Sequence, residues 1–300
     1  MIRIVTDSTA SIPRDMAAEN NIEVITMYLN RDGVEYEDAT MDVDAFYHDI
    51  YDMVDNIPKS SQPSQSHLEN LFESIAKAGD ELLGIFMSSR MSGTVDGALR
   101  AARSVASHHV GFSFRIVDSM SNSFDEAWSV IAAAKARDTG CSLDQCCDFA
   151  LASIKSSRWL FSPESLRFLK AGGRIGNGAA LLGNLMRICP IFTVTNGETS
   201  TFAKVRSHKK ALETMTAKLK ADIAEFGLKN IIVHYIGQPD DAARWSREQI
   251  EPLVGKEVPV VPVSPVIGLH VGPAVGVVYE CVRELPGKVN VNPSMLVYSS

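Results

Sequence analysis

The sequence predicts an α/β protein with a parallel sheet in its N-terminal half and a mixed sheet in its C-terminal half. Short β-branched apolar runs alternate along the chain with longer segments of helical periodicity, as in other α/β proteins. An Asn196-Gly197 turn signal between two strand-like runs indicates antiparallel pairing in the second half. The length of 300 residues, with a hydrophobic fraction of 45%, fits one large domain or two moderate ones.

The first half is expected to contain parallel strands at residues 2–6, 82–87 and 114–117. Between the first two strands, Ser66 is the expected N-cap of an amphipathic helix, with Glu69 as its capping-box partner and Gly79 at its end. Two more helices are expected after residue 124. The second of them opens at Ser142, three residues before Gln145, and runs to about residue 155.

The second half begins with Ser162-Pro163, which is expected to cap a short helix that stops at Gly172-Gly173. The elements that follow are expected to be hairpin strands at residues 191–195 and 201–205, a helix at 208–226, a strand at 230–235 and a helix at about 242–253.

Residues 258–279 form a long stretch with no formally charged residue apart from the titratable His270. Its length raises the question of a membrane span. Its prolines and glycines would break a spanning helix and expose its backbone to lipid. We therefore expect a buried strand, a loop and a second buried strand.

The change of pattern places the expected domain boundary near residues 156–162. This gives an N-terminal α/β domain of residues 1–157, with an excursion at about residues 24–58. The C-terminal α/β domain, with the mixed sheet, then comprises residues 158–300.

Charge and cysteine content exclude several classes of protein. The chain has 29 basic and 36 acidic residues, and its net charge of −7 disfavours binding to nucleic acid. The five cysteines include no Cys-x-x-Cys pair, and the histidines show no metal-ligand spacing. The N-terminus lacks the long apolar core of a signal peptide. We therefore expect a cytoplasmic protein with no metal, no cofactor and no stable membrane insertion.

Loops rich in hydroxyl groups follow each of the three predicted parallel strands. The carboxyl ends of parallel strands meet at one edge of a sheet, where helix N-termini present free N–H groups to an anion. The Ser92-Gly93-Thr94 unit is expected to open a helix at about residues 95–105, and it suits a carboxylate or a phosphate. The alternative is that the Ser and Asp residues of these loops only cap helices.

Three further segments are candidates, each with a structural alternative. Ser60-Ser61 supplies either more hydroxyl groups or only a polar turn. His270 lies in an apolar setting and is either a hydrogen-bond donor to a ligand or a structural histidine. Lys204-Val205-Arg206 is either solvated surface or the positive side of a site that handles phosphate.

Six motifs, in order and nearly end to end, resemble those of the DegV family. The motifs are Ile4-Val5-Thr6-Asp7-Ser8-Thr9, Ser60-Ser61-Gln62-Pro63-Ser64, Ser88-Ser89-Arg90-Met91-Ser92-Gly93-Thr94, Leu169-Lys170-Ala171-Gly172-Gly173-Arg174-Ile175, Lys204-Val205-Arg206 and Gly268-Leu269-His270-Val271-Gly272-Pro273. The resemblance implies a two-domain α/β fold that holds one long-chain fatty acid between its domains. The family includes the acyl-carrying subunits of bacterial fatty acid kinase, which present the carboxylate to a separate catalytic subunit that makes acyl-phosphate.

The resemblance also implies which residues bind the ligand. Ser60 and Ser92 would hydrogen-bond the carboxylate, and His270 would complete this polar end. The same motif segments add Ser61, Gly93 and Thr94 to the expected ligand-binding residues.

Two arginines, Arg174 and Arg206, match family arginines near the portal, where they would meet the partner or the new phosphate. This sequence departs from the family pattern at four positions. Ser60 replaces a usual Thr, apolar residues flank His270 where Thr is common, and Ala274 replaces a usual Gly. The apolar residues beside His270 are Leu269 and Val271.

The resemblance thus implies a fatty-acid-binding protein without catalysis of its own. Its expected partners are a long-chain fatty acid and a fatty acid kinase catalytic subunit, with transient membrane contact only. One alternative is a hydrolase or acyltransferase with Ser92 as nucleophile, His270 as base and Asp7 or Asp118 as the orienting carboxylate. Another is a carrier of a different amphipathic carboxylate.

Overall fold

Two main β-sheets and a small third sheet, with helices packed on and between them, make up the fold. The structure is a computed structural model that describes residues 1–181, 188–292 and 295–299. The described strands are β1 Ile2–Asp7, β2 Ile22–Ile25, β3 Tyr28–Arg31, β4 Val34–Glu37, β5 Lys59–Ser61, β6 Glu81–Phe86, β7 Phe114–Asp118, β8 Ser157–Pro163, β9 Cys189–Thr195, β10 Glu198–Val205, β11 Leu228–Ile236, β12 Val260–Pro262, β13 Ala274–Cys281 and β14 Val297–Ser299.

Helices alternate with these strands along the chain. The described α-helices are α1 Arg14–Glu19, α2 Val43–Asp49, α3 Gln65–Lys77, α4 Thr94–Ala106, α5 Ser123–Asp138, α6 Leu143–Ser156, α7 Arg167–Ala171, α8 His208–Phe226, α9 Asp240–Trp245, α10 Glu251–Val254 and α11 Pro265–Val271. A π-helical turn at Ser246–Ile250 joins α9 to α10, so one helical segment occupies the predicted region 242–253.

The first main sheet has the order β14-β7-β6-β1-β2, and all its pairs are parallel except β14 with β7. Three of its strands are those expected from the β-branched runs, so the predicted parallel sheet is confirmed. Helices α3 and α4 pack together on one face of this sheet, and α5 packs against strands of both main sheets. Helix α5 is therefore buried on nearly all sides.

The predicted N-cap of α3 is wrong by two residues. The hydroxyl of Ser64 accepts the hydrogen bond from the His67 N–H at 3.1 Å, whereas Ser66 lies inside the helix. Ser64 follows a proline and has the extended backbone that an N-cap requires. The capping box predicted for α6 is confirmed, because Ser142 and Gln145 bond to each other's backbone N–H groups.

The second main sheet has the order β10-β9-β8-β13-β11-β12, and only β11 with β12 is a parallel pair. The predicted mixed sheet, its β9–β10 hairpin and helix α8 are confirmed. Ser162-Pro163 does not cap a helix, because both residues belong to β8 and pair with β13. Pairing with a strand more than 100 residues away overrides the local capping signal, and α7 begins only at Arg167.

The uncharged segment of residues 258–279 contains a helix where a loop was expected. Strand β12 is followed by α11 and then β13. Ser264 caps α11 by accepting from the Ile267 N–H at 3.3 Å, and Pro265 occupies the first helical turn. Within the described ranges, none of the helices has the length and apolar character needed to cross a membrane.

The expected excursion at residues 24–58 builds most of the small sheet, whose order is β4-β3-β5 with antiparallel pairs. The second main sheet starts at Ser157, directly after α6. Strand β14, near the end of the chain, returns to the first sheet. The division into domains of residues 1–157 and 158–300 stays a prediction.

Several buried polar contacts join the halves of the molecule, and two of them involve helix α5. His234 on β11 bonds through Nε2 to the Ser123 hydroxyl at 2.7 Å and through Nδ1 to the Val261 carbonyl at 2.8 Å. Burial lowers the pKa of His234 to about 4, so this contact is between neutral groups near pH 7. Lys288, which is only 3% exposed, forms an ion pair with Asp125 in the first turn of α5.

Removal of one partner of this ion pair should be strongly destabilising. We expect Lys288→Ala to lower the free energy of unfolding by about 3–5 kcal/mol, because it leaves the Asp125 carboxylate buried and uncompensated. Urea unfolding followed by circular dichroism measures the change. Lys155→Ala is the matched control, because it removes an ion pair to the exposed Glu284 and should cost less than about 1 kcal/mol. Equal losses in the two variants would contradict this role of Lys288.

Candidate functional site

A cavity of about 210 Å³ lies where the loops of the first sheet face the second sheet and α11. Its wall combines a polar group of side chains with an apolar surface of similar extent. The residues that line it are Met27, Ser60, Ser61, Gln62, Met87, Met91, Ser92, Gly93, Asn122, Trp159, Phe161, Leu169, Arg174, Thr199, Val266, Ile267, His270 and Val271. Only one of these, Arg174, carries a formal charge at neutral pH when His270 is neutral.

Ser60 and His270 meet at this cavity although they are 210 residues apart in the chain. Ser60 lies in the middle of β5, paired with Leu29 of β3, and His270 lies in the last turn of α11. The Ser60 hydroxyl and His270 Nε2 are 2.8 Å apart, which is hydrogen-bond distance. Ser61, the next residue of β5, also lines the cavity.

Ser92, Gly93 and Thr94 form the start of α4 at the same cavity. Gly93 is the N-cap of this 13-residue helix, and no side chain of the N-cap residue bonds to the first N–H groups. The positive end of the helix therefore lies at the cavity that Gly93 lines. The Ser92 and Thr94 hydroxyls are 2.8 Å apart, and Thr94 itself is buried behind the cavity wall. A Cβ on Gly93 would lie 2.6 Å from the end of the exposed Gln62 side chain, so a larger residue here would displace that side chain.

The electrostatics of His270 favour the neutral imidazole. The pKa of His270 is lowered to about 4. Burial is the larger cause of this shift, and the nearby Arg174 guanidinium is the second. His270 Nδ1 is buried and has no hydrogen-bond partner among the described residues. Gly172 packs against this nitrogen, because a Cβ at Gly172 would lie 2.3 Å from it.

The two arginines singled out from the sequence are placed differently. Arg174 lines the cavity and donates from Nε to the Met91 carbonyl at 3.2 Å and from Nη1 to the Gly172 carbonyl at 2.6 Å. It thereby joins the chain beyond α7 to the loop that carries Ser92. Arg206 follows β10, is exposed and does not line the cavity.

Aromatic and methionine side chains form the apolar part of the wall. Trp159 and Phe161 on β8 stack with their ring centroids 4.3 Å apart, and both face the cavity. Methionines contribute three flexible side chains to the same surface: Met27, Met87 and Met91. A surface of this kind accommodates apolar ligands by small changes of rotamer.

The carboxylates considered for a catalytic triad accept hydrogen bonds from backbone N–H groups of the loops. Asp7 accepts from the Met87 N–H at 2.9 Å and from the Thr9 N–H at 3.0 Å. Asp118 accepts from the Met120 N–H at 2.8 Å and the Ser89 N–H at 3.2 Å. The hydrogen bond of His270 Nε2 goes to Ser60, and that of the Ser92 hydroxyl goes to Thr94.

Several lining residues were not identified from the sequence. Asn122 lies in one of the hydroxyl-rich loops, and its buried Oδ1 has no hydrogen-bond partner within the described ranges. Thr199 comes from the β9–β10 hairpin, whose position over the cavity depends on tertiary packing. The alternation of Trp159 and Phe161 along β8 is a signal that could have found them. Across the part of the chain that the structure describes, His, Cys, Asp and Glu side chains form no group of three suited to a metal ion.

Comparisons with known proteins place the chain in one family. The family model described as "Uncharacterised protein, DegV family" matches residues 1–281. A DegV domain-containing protein of Clostridium acetobutylicum is 39% identical over 279 residues, which cover 93% of this chain and 97% of that protein.

Two solved structures share the fold over nearly their whole length. A DegV family protein from Thermus thermophilus, described as binding fatty acid, has a TM-score of 0.81 and 28% identity, covering 93% of this chain and 99% of that one. DegV from Bacillus subtilis, described as a fatty acid binding protein, has a TM-score of 0.83 and 26% identity, with coverage of 93% and 99%.

The His270 imidazole should stay neutral on acidification until about pH 4. Its pKa in the folded chain lies below the value of about 6.5 for an exposed histidine, so the unfolded chain takes up this proton first. This group therefore lowers the free energy of unfolding as the pH falls from about 6.5 to about 4, and it has no such effect above that range.

Heteronuclear NMR of the imidazole nitrogens measures this titration. In Arg174→Gln, the His270 pKa should rise part of the way, because burial remains the larger cause of the shift. Arg247→Gln, an exposed change elsewhere in the second half, is the control and should leave it unchanged. A His270 pKa near 6.5 in the unsubstituted protein would show that the imidazole is not desolvated.

Proposed function

The chain belongs to the DegV family, and we propose that it binds one long-chain fatty acid with the carboxylate at Ser60, Ser92 and His270. One observation carries the proposal. The cavity joins neutral hydrogen-bond donors and a helix N-terminus to an apolar wall, and none of the described residues that line it is acidic. That combination suits an anionic head group with an apolar tail. The fatty-acid-binding relatives from Thermus thermophilus and Bacillus subtilis support the same ligand class.

The head group is proposed to be held by oriented hydroxyls. If His270 Nε2 donates to the Ser60 oxygen, the Ser60 proton is free to be donated to one carboxylate oxygen. If Thr94 donates to the Ser92 oxygen and not to its weaker acceptor, the Met27 sulfur at 3.8 Å, the Ser92 proton is free in the same way. The neutral His270 thus acts as a positioning residue for Ser60. Ser61 and Gly93, which line the cavity beside them, complete this polar end.

The acyl chain is proposed to extend along the apolar wall past Trp159 and Phe161. Each buried methylene contributes about 0.8 kcal/mol of transfer free energy. A tail of about fifteen methylenes therefore contributes roughly 12 kcal/mol before the cost of association, which is several kcal/mol. In this proposal the tail supplies affinity and the hydroxyls supply orientation.

We further propose that the protein has no catalysis of its own and presents the carboxylate to a separate fatty acid kinase catalytic subunit. A carboxylate bound by neutral donors keeps its nucleophilicity toward a phosphoryl group better than one clamped by arginine. The serine hydrolase alternative needs a carboxylate on His270 Nδ1 and a bond from His270 to Ser92, and the geometry supports neither. The proposed location is the cytoplasm, with only transient membrane contact.

Purified protein should carry about one fatty acid per chain in mass spectrometry of its organic extract. Ser60→Ala and Ser92→Ala should each weaken fatty acid binding roughly 10- to 100-fold, because a hydrogen bond to a charged group contributes about 1.5–3 kcal/mol. Isothermal titration of delipidated protein with a fatty acid measures this. Ser66→Ala, on the exposed first turn of α3, is the matched control and should bind normally. Unchanged affinity in both cavity variants, or an extract without lipid, would contradict the proposal.

Arg206→Ala should separate binding from phosphoryl transfer. Arg206 is exposed and outside the cavity, so fatty acid affinity should be unchanged, while acyl-phosphate formation with a kinase catalytic subunit and ATP should fall at least several-fold. Arg247→Ala is the control for loss of one exposed arginine. Parallel losses of binding and turnover in Arg206→Ala would refute a role confined to the partner or the phosphate.

A further inference from the structure

The small sheet and its connections carry most of the negative charge of the protein. Residues 24–58 contain nine of the 36 acidic residues and only one of the 29 basic residues. The net charge of this segment is therefore −8, and that of the rest of the chain is +1. Among the nine acidic side chains, Asp38 is buried, and the other eight are at least partly exposed.

Strand β4 is an open edge of this sheet. It pairs with β3 on one side, and among the described strands nothing pairs with its other side. All four of its residues are exposed, including Val34 at 52% and Tyr36 at 43%. An edge of this kind presents unpaired N–H and C=O groups to which another extended chain can add.

The turn between β3 and β4 sets which groups face outward. Arg31 and Val34 are the last pair before the turn, which consists of Asp32 and Gly33. Both turn residues have positive φ, 54° and 83°, as is usual in two-residue hairpin turns. The alternation of antiparallel pairs then turns the backbone N–H and C=O groups of Glu35 and Glu37 away from β3. The Glu37 carbonyl accepts from the Thr40 hydroxyl at 3.4 Å and keeps a second lone pair. The acidic side chains of these two residues lie on one face of the sheet, and those of Val34 and Tyr36 on the other.

A groove of about 410 Å³ adjoins the face that carries Tyr36. Its apolar lining includes Leu29, Met41 and Phe46, and Asp42 and Asp49 also line it. Among the described residues that line it, Arg31 is the one cation, and it is already paired with Asp49 at 3.0 Å. The edge therefore offers negative charge together with apolar contact area.

We propose that β4 docks an extended basic segment of another protein, which adds a fourth strand to the small sheet. Charge complementarity identifies the occupant: alternate basic side chains would face Glu35 and Glu37, and alternate apolar side chains would cover Val34 and Tyr36 and enter the groove. Strand β4 lies two strands from β5, about 10 Å at the usual strand spacing. A protein docked at β4 would thus sit beside the Ser60 end of the central cavity. This inference does not rest on the identity of the ligand in that cavity.

A short peptide of alternating lysine and valine is the probe, titrated into the full-length, isotope-labelled protein and followed by NMR. The expected result is a set of amide shift changes centred on Val34–Glu37, with slowed hydrogen exchange at Glu35 and Glu37. The double variant Glu35→Gln and Glu37→Gln should bind roughly fivefold more weakly, the effect of losing two exposed ion pairs. Glu225→Gln with Glu248→Gln is the matched control, because it removes the same charge from exposed helical sites in the second half.

Two comparison peptides decide whether the contact is strand addition. A peptide of the same sequence with alternate backbone nitrogens methylated keeps the charge but cannot pair as a strand, and it should lose most of the binding. A glutamate-valine peptide should not bind. The proposal is overturned if the methylated or the acidic peptide binds as well as the lysine-valine peptide, or if the shift changes lie away from β4. It is also overturned if the control variant weakens binding as much as the double variant at β4.

Discussion

The hydrogen bond between Ser60 and His270 joins the small sheet to the second half of the chain, and the geometry of the site depends on it. Other contacts join the same excursion to the second half, and two of them are in or next to α11. The Tyr47 hydroxyl donates to the Val263 carbonyl at 2.7 Å, and the Asp38 carboxylate accepts from the Val266 N–H at 2.9 Å. Helix α11 is thus seated on the excursion before it presents His270. The polar end of the cavity is a property of this docking and not of either half alone.

Burial explains why the site relies on neutral groups. His270 lies where the charged imidazole is poorly solvated, and Arg174 adds repulsion, so the neutral ring persists well below pH 7. The loops that complete the site are held by Asp7 and Asp118, whose carboxylates accept backbone N–H groups at the ends of neighbouring strands. The charges of the first sheet therefore shape the loops, and the hydroxyls and the helix N-terminus face the cavity.

The small sheet links this site to the surface of the molecule. Its β5 edge supplies Ser60, and its β4 edge is open and surrounded by carboxylates. The rest of the chain is close to electrically neutral, so the acidic field is concentrated on this one element. Long-range attraction of a basic partner would therefore orient that partner toward the side of the protein where the polar end of the cavity lies.

Local patterns were sufficient for most segments whose structure depends on near neighbours, although they placed the N-cap of α3 two residues too late. The β-branched runs of β1, β6 and β7, the Asn196-Gly197 turn and the Ser142 capping box all form as predicted. Local reasoning was wrong where a distant segment competes for the same backbone. Ser162-Pro163 has a capping signal, but pairing of β8 with β13 draws it into a sheet.

Residue types and motif order also singled out Ser60, Ser92, Arg174 and His270, all of which line one cavity. The same reasoning singled out Arg206, which lies outside it, and did not identify Asn122 or Thr199, which line it. The sequence by itself determined the main elements and the chemistry available at the ends of the strands. Only the tertiary structure decided which of those groups meet, because a cavity wall is made by side chains from segments up to about 200 residues apart, and their meeting depends on long-range packing that no local pattern encodes.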